Sequence, residues 1–259
     1  MSSPLRGKRI LQTRPAHQSA GWQQTLADAG AHCDSIPMLA IAPVTDAAAV
    51  QAIKNLVLDF DQFDHAIFVS QNAVQYGFDW LDDYWPQLPQ GPRFYAIGAA
   101  TARAIAAHGP EPERDGECGS MDSEALLALP PLQSLQGDRV IIFRGQGGRT
   151  LIGDTLEQRG ARVAYCELYQ RLLPEDARQQ LSTYSLTPDA ITVHSGETLE
   201  NLHQCLLQTR RQDLLAIPLV CPSTRVAARA RELGFTGATA AANAGDPAML
   251  SAVSEALAA

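Results

Sequence analysis

Arg9-Ile-Leu-Gln-Thr-Arg14 and Arg139-Val-Ile-Ile-Phe-Arg144 are two apolar runs flanked by arginines, and laying one over the other decides the fold. The same shift of 130 positions, without a gap, sets Thr25 on Thr155, Leu26 on Leu156, Gly30 on Gly160 and Ala31 on Ala161. Each copy reads as a buried strand, a turn, an amphipathic helix, a glycine stop and a second strand. Further along, a shift of 125 sets Asp64 on Asp189, Ser70 on Ser195, Leu81 on Leu206 and Gly109 on Gly234. The chain is therefore an internal duplication, each half reading β-α-β followed by more β-α units.

Working outward, strands are predicted at Ile10–Thr13, Ala66–Val69, Phe94–Ile97, Val140–Phe143, Ala190–Val193 and Leu219–Cys221. Helices are predicted at Ser19–Ala29, Ala73–Leu81, Ala99–Ala107, Thr150–Arg159, Leu199–Leu207, Val226–Leu233 and Pro247–Leu257. Strands alternating with helices imply parallel sheets covered on both faces. The fold class expected is α/β, with two doubly wound parallel-sheet domains joined by a two-stranded linker. Ser35–Pro43 and Tyr165–Pro174, extended, apolar and proline-terminated at the same point of each repeat, are the linker candidates. Pro110–Asp122 reads as a surface loop.

Composition narrows the function. With 46 % apolar and 19 % charged residues, the 259-residue chain can bury full cores. No apolar run approaches the roughly 18 residues that cross a bilayer, and Met1–Arg9 lacks the apolar centre of a signal peptide. The net charge of −8 argues against nucleic-acid binding. Five scattered cysteines form no C-x-x-C pair, so neither a disulfide framework nor a zinc site is expected. The expectation is a cytoplasmic protein with no membrane and no nucleic-acid partner. Eighteen of the 20 basic residues are arginine, which grips carboxylates bidentately, although base composition of the gene explains that bias equally well.

Several junctions between strand and helix carry groups that hold anions. Phe143-Arg-Gly-Gln-Gly-Gly-Arg149 is a glycine-rich turn with Arg144 and Arg149 in it. As a dinucleotide fingerprint it fails, because Thr150 occupies the third glycine position. Ser70 and Asn72, Gly98 and Thr101, Ser195, and Ser223 with Thr224 mark the other junctions. Any one of them is explained by helix capping. Together they fall beyond the carboxyl ends of parallel strands, where such sheets bind ligands. No catalytic triad, metal cluster or reactive thiol is legible.

The chain resembles the uroporphyrinogen-III synthase family over essentially its whole length. The residues that carry the resemblance are Leu11-Gln-Thr-Arg-Pro15, Phe68-Val-Ser-Gln-Asn-Ala-Val74, Ala96-Ile-Gly98 with Thr101-Ala102, Ser123-Glu-Ala-Leu-Leu127, Phe143–Arg149 and Leu168-Tyr-Gln-Arg171. The resemblance implies one domain from residues 1–36 and 173–259, a second from 44–164, and linker strands at 37–43 and 165–172. It implies hydroxymethylbilane, a linear tetrapyrrole polycarboxylate, as substrate, cyclised with inversion of its last pyrrole and loss of water. No cofactor and no metal are expected, and transient contact with the upstream enzyme that makes hydroxymethylbilane is a further implication. Tyr169 matches the family tyrosine proposed to assist departure of the hydroxyl. Arg14, Ser70, Asn72, Gly98, Thr101, Arg144, Arg149, Ser195, Ser223 and Thr224 are the substrate-binding candidates. The second half departs from the family's Gly-x-x-Thr pattern, with Ser223 and Val226 where Gly98 and Thr101 stand. A two-domain small-anion binding protein or sensor with a hinged cleft is the alternative, and a nucleotide-dependent enzyme the third.

Overall fold

The computed structural model describes residues 5–113, 122–148 and 150–258. Much of the expected loop at Pro110–Asp122, with Cys118, lies outside the described residues. The strands are β1 (Arg9–Gln12), β2 (His32–Ser35), β3 (Ala40–Pro43), β4 (His65–Phe68), β5 (Arg93–Ala96), β6 (Arg139–Gly145), β7 (Arg162–Leu172), β8 (Ala190–Thr192), β9 (Leu219–Cys221) and β10 (Ala238–Ala240). The helices are α1 (Ala20–Asp28), α2 (Ala47–Leu58), α3 (Gln71–Tyr84), α4 (Ala99–Ala107), α5 (Ser123–Ala128), α6 (Leu151–Gln158), α7 (Ala177–Thr183), α8 (Gly196–Gln208), α9 (Thr224–Glu232) and α10 (Asp246–Ala258). None of these helices is long and apolar enough to cross a membrane.

The chain forms two compact units, residues 1–41 with 172–259, and residues 42–171. The first holds a sheet in the order β10-β9-β8-β1-β2, the second a sheet in the order β3-β7-β6-β4-β5. Pairings from β1 to β2 and β8, and from β6 to β7 and β4, are parallel. Reading β6, β7, β4 and β5 as the mates of β1, β2, β8 and β9 makes four strands of the two orders the same, as the shifts of 130 and 125 require, and leaves β10 and β3 as fifth strands on opposite edges. Each unit thus takes its β-α-β from one repeat and its following β-α units from the other.

Neighbouring residues in the central strands face opposite layers, which is why those strands read as unbroken apolar runs. In the first unit Leu11, Ile191, Leu219 and Cys221 join a core with α7, α8 and α9. Ile10, Ala190 and Val220 join one with Trp22 and Leu26 of α1 and Met249 and Val253 of α10. In the second unit Ile67, Tyr95, Val140 and Ile142 pack on α5 and α6. The opposite face is aromatic: Phe68 stacks on Phe143 at 4.5 Å and on Phe78 of α3 at 5.6 Å. α3 lies close to that face because Gly77 has no side chain. A Cβ there would sit 2.9 Å from the Phe68 ring.

Of the segments expected as linkers, 40–43 and 165–172 are strand in the second sheet. The 165–172 segment is the greater part of the eleven-residue β7, and β3 lies at its outer side, with the Val44 amide donating to the Leu168 carbonyl at 3.2 Å. Pairing carries on because the backbone stays extended while β6 still offers partners as far as Gly145.

Candidate functional site

In both sheets the chain reverses its winding between two central strands, β6 and β4 in the second unit and β1 and β8 in the first. Ligands of open parallel sheets bind beyond the carboxyl ends at such points. In the second unit that place is occupied by Tyr169, Ser70 and Arg144.

Tyr169 is brought there by an irregularity in the sheet. Arg144 pairs with Glu167 and Gly145 with Tyr169, so β7 has one residue, Leu168, more than β6 needs. Such a bulge re-aims the side chains beside it. Leu168 and Tyr169 are consequently both buried, at 1 % and 3 % exposure, where a regular strand would alternate. The Tyr169 ring lies directly over Gly145, at which a Cβ would come within 2.5 Å of it. Its other neighbour is Tyr76 of α3, stacked at 5.5 Å. The hydroxyl is 2.9 Å from Ser70 Oγ, and either oxygen can donate. Ser70 is the N-cap of α3, with an extended backbone, and its Oγ accepts the Ala73 amide at 3.1 Å.

Arg144 is buried within its own loop. Its guanidinium donates to the Gly145 carbonyl at 3.2 Å and to that of Gly147, and lies 5.1 Å from the Tyr165 ring centre. Gly147 and Gly148, at φ of +68° and +100°, let the loop fold back over it, and a Cβ on Gly148 would come within 2.7 Å of the guanidinium. Arg144, Tyr169, Tyr165, Arg171 and Ser123 line a cavity of about 160 Å³, closed on its apolar side by Val69, Ile97 and Ile142. Burial pushes the Tyr165 phenol up, and Asp154 adds to it. Arg149 lies outside the described residues. Asn72 is half-buried in the first turn of α3. Gly98 caps α4 at φ +84°, and Thr101 behind it is buried at 4 % exposure.

In the first unit Ser195 takes the place of Ser70 and caps α8 with nearly the same backbone, but its hydroxyl closes a capping box with Thr198. Ser223 caps α9 at φ −165°, so it is not a conformational match for the left-handed Gly98, and Thr224 is exposed. Arg14 is held by Asp246 at 2.7 Å and the Ala244 carbonyl at 3.1 Å, with Trp22 beneath it at 5.7 Å. The sequence places Ser70 and Ser195 at equivalent strand ends. It does not show that both arginines already have protein partners, and it misses Gly145, Tyr76, Tyr165 and Arg171. The signal for Gly145 is its place opposite Leu168-Tyr169, two consecutive bulky residues in a strand.

His194, at the carboxyl end of β8, stands edge-on to Trp22 at 5.5 Å. Both ring nitrogens are buried without a hydrogen-bond partner among the described residues. Burial, and after it the Arg14 cation, push the ring down to about 3. Its folded value lies below the unfolded one, near 6.5, so the unfolded chain takes the proton first. Stability should be complete above about pH 6.5 and fall by up to about 1.4 kcal/mol for each pH unit below it. Urea midpoints of the protein and of His194→Phe, compared between pH 7.5 and 5.5, check this. The variant should show the shallower pH dependence, and equal slopes would refute the assignment.

Among the described residues the thiols are held protonated: burial raises Cys33 to about 11 and Cys221 to about 12, and pushes Cys166 up as well. Among the described residues no group of three acidic, histidine or cysteine side chains is placed to hold a metal ion.

Comparison with known proteins bears on the family and the fold. A family model described as uroporphyrinogen-III synthase HemD matches residues 20–251. The uroporphyrinogen-III synthase of Escherichia coli is 34 % identical over 253 residues, 94 % of this chain and 99 % of the relative. That of Proteus mirabilis is 37 % identical over 198 residues, 74 % of this chain and 96 % of the relative. Among solved structures, a mutant uroporphyrinogen III synthase from the extreme thermophile Thermus thermophilus superposes with a TM-score of 0.61 at 17 % identity, covering 97 % of this chain and 99 % of that one. The uroporphyrinogen-III synthetase of Helicobacter pylori gives 0.56 at 15 %, over 94 % and 97 %. At those identities the structures speak for the two-sheet α/β fold, while the family model and the E. coli relative speak for descent. The chain belongs to the uroporphyrinogen-III synthase family.

Proposed function

We propose that this protein cyclises hydroxymethylbilane to uroporphyrinogen III in the cytoplasm, with Tyr169 as the proton donor that lets the terminal hydroxyl leave as water. The observation that carries the reading is the Tyr169 hydroxyl, held on Ser70 at the carboxyl ends of β4 and β6 beside a cavity with two arginines. Departure of the hydroxyl leaves a cation stabilised by the pyrrole nitrogen. The carbon that attacks it belongs to the same molecule, so the protein's share is to fold the chain for the spiro route and hold off direct closure. A cavity of about 160 Å³ is far smaller than the 300–1,000 Å³ usual for whole ligands. In this reading it takes one carboxylate arm of the substrate, with Arg171 and Arg144 supplying positive charge. Ser70, Asn72, Gly98 and Thr101 border the same strand ends of the second unit, and Arg149 is a further candidate for binding substrate. Arg14, Ser195, Ser223 and Thr224 serve at those of the first, where Arg14 must share itself between Asp246 and a substrate carboxylate. Contact with the enzyme that releases the unstable substrate fits this reading too.

The test supplies freshly generated hydroxymethylbilane, oxidises the products and separates the porphyrin isomers. Mostly type III, against type I without protein, is expected. Type I at the uncatalysed rate from folded protein would rule the activity out.

A further inference from the structure

Ser70 and Ser195 are repeat mates that cap their helices identically and then differ in where the hydroxyl goes. Their backbones agree, φ −166° and ψ 165° against φ −155° and ψ 163°. Each accepts the amide three residues on, at 3.1 Å. At Ser195 the threonine three positions later shares the hydroxyl and closes a local box. At Ser70 the corresponding residue is Ala73, which has no hydroxyl to offer, and Ser70 Oγ turns instead to Tyr169, 99 positions away in sequence. The duplication thus holds an internal control: the same cap is closed on itself in one unit and open to a tyrosine in the other.

We infer that Ser70 is a positioning residue, through which the amino terminus of α3 holds the negative charge that Tyr169 acquires on giving up its proton. The inference rests on Tyr169 being the donor proposed above. In that step the Tyr169 O–H bond breaks and its proton bonds to the departing hydroxyl. The carbon–oxygen bond then breaks with its electron pair leaving on water, and the tyrosine is left as a phenolate. It regains a proton from the pyrrole carbon that loses one as the ring closes.

At 3 % exposure the phenolate has little solvent to stabilise it, so donors fixed in advance are worth most there. Ser70 can be such a donor: the Ala73 amide already gives to its oxygen, and its one proton remains to be given to the phenolate. Behind it stands a fourteen-residue helix whose first turn contains no acidic residue to cancel its positive end. Gly145 and Tyr76 keep the ring in line, one by leaving room and the other by stacking.

The experiment measures kcat and KM with fresh hydroxymethylbilane for Ser70→Ala, Ser70→Thr and Ser70→Asp, alone and with Tyr169→Phe. Ser70→Ala is expected to lower kcat about 10- to 100-fold with KM little changed. Ser70→Thr, which keeps a hydroxyl, should recover most of that loss. Ser70→Asp caps a helix well, so it guards against a mere folding defect, yet it gives no proton and sets a charge against the phenolate. It should be at least as slow in kcat as Ser70→Ala. In the Tyr169→Phe background none of the three substitutions should slow turnover further. A rise in KM at unchanged kcat would make Ser70 a substrate ligand, and a fully active Ser70→Asp would make it a helix cap. Either result overturns the inference while leaving Tyr169 as donor. Tyr169→Phe at normal turnover would overturn the donor assignment itself, and the inference with it.

Discussion

Tyr169→Phe is expected to lower turnover of hydroxymethylbilane by about 10²-fold or more, with KM held within about twofold. Phenylalanine keeps the ring over Gly145 and against Tyr76, so the packing that the bulge in β7 creates is retained. What goes is one hydroxyl and its contact with Ser70, which still holds the Ala73 amide. A loss of one such hydrogen bond costs about 1 kcal/mol of stability, too little to unfold the protein. Steady-state rates with isomer analysis check the claim. Normal turnover would mean that water or the substrate itself supplies the proton and that the protein works by positioning alone.

Trp22→Ala is expected to destabilise the first unit by about 3–5 kcal/mol, the usual cost of emptying a buried aromatic site. Trp22 is fully buried among Ile10, Leu26, Met249 and Val253. Its indole N–H donates to Thr192 Oγ1 at 3.3 Å, and its ring meets His194 and Arg14. Removing it opens a void and takes the support from two residues at the strand ends. Denaturant unfolding followed by circular dichroism should show an early transition for the first unit, with the second unit's transition unmoved. Two transitions are to be expected because each unit has its own cores. A single transition displaced by less than about 1 kcal/mol would contradict the packing described for Trp22.

Much of the architecture was legible because central parallel strands are buried on both faces and announce themselves as runs, as Val140–Phe143 and Ala190–Val193 do. The edges were less so. β10 is only three residues long with mixed polarity, so it does not stand out by pattern alone. At the site, the strand-end position of Ser70 is legible, whereas Tyr169 comes from the family resemblance and falls in a segment read as a linker. Their contact is not legible, since it depends on one surplus residue in β7 and on a glycine in a strand 24 positions earlier. Arg14 reads as an open anion ligand because its partner Asp246 comes from the far end of the chain, and Arg144 because the sequence does not show its own loop folding back to bring the Gly147 carbonyl to the guanidinium.

The exchange of pieces between the two repeats also orders events during synthesis. When the ribosome has released residues up to Arg171, every strand of the second sheet is present and that unit can close. Of the first sheet only β1 and β2 exist, and β1 must wait with one edge bare until β8 emerges. The inner unit is therefore built to fold while the chain is still growing, and the outer one only after translation has reached the far end, so premature termination leaves a finished unit with a sticky strand attached.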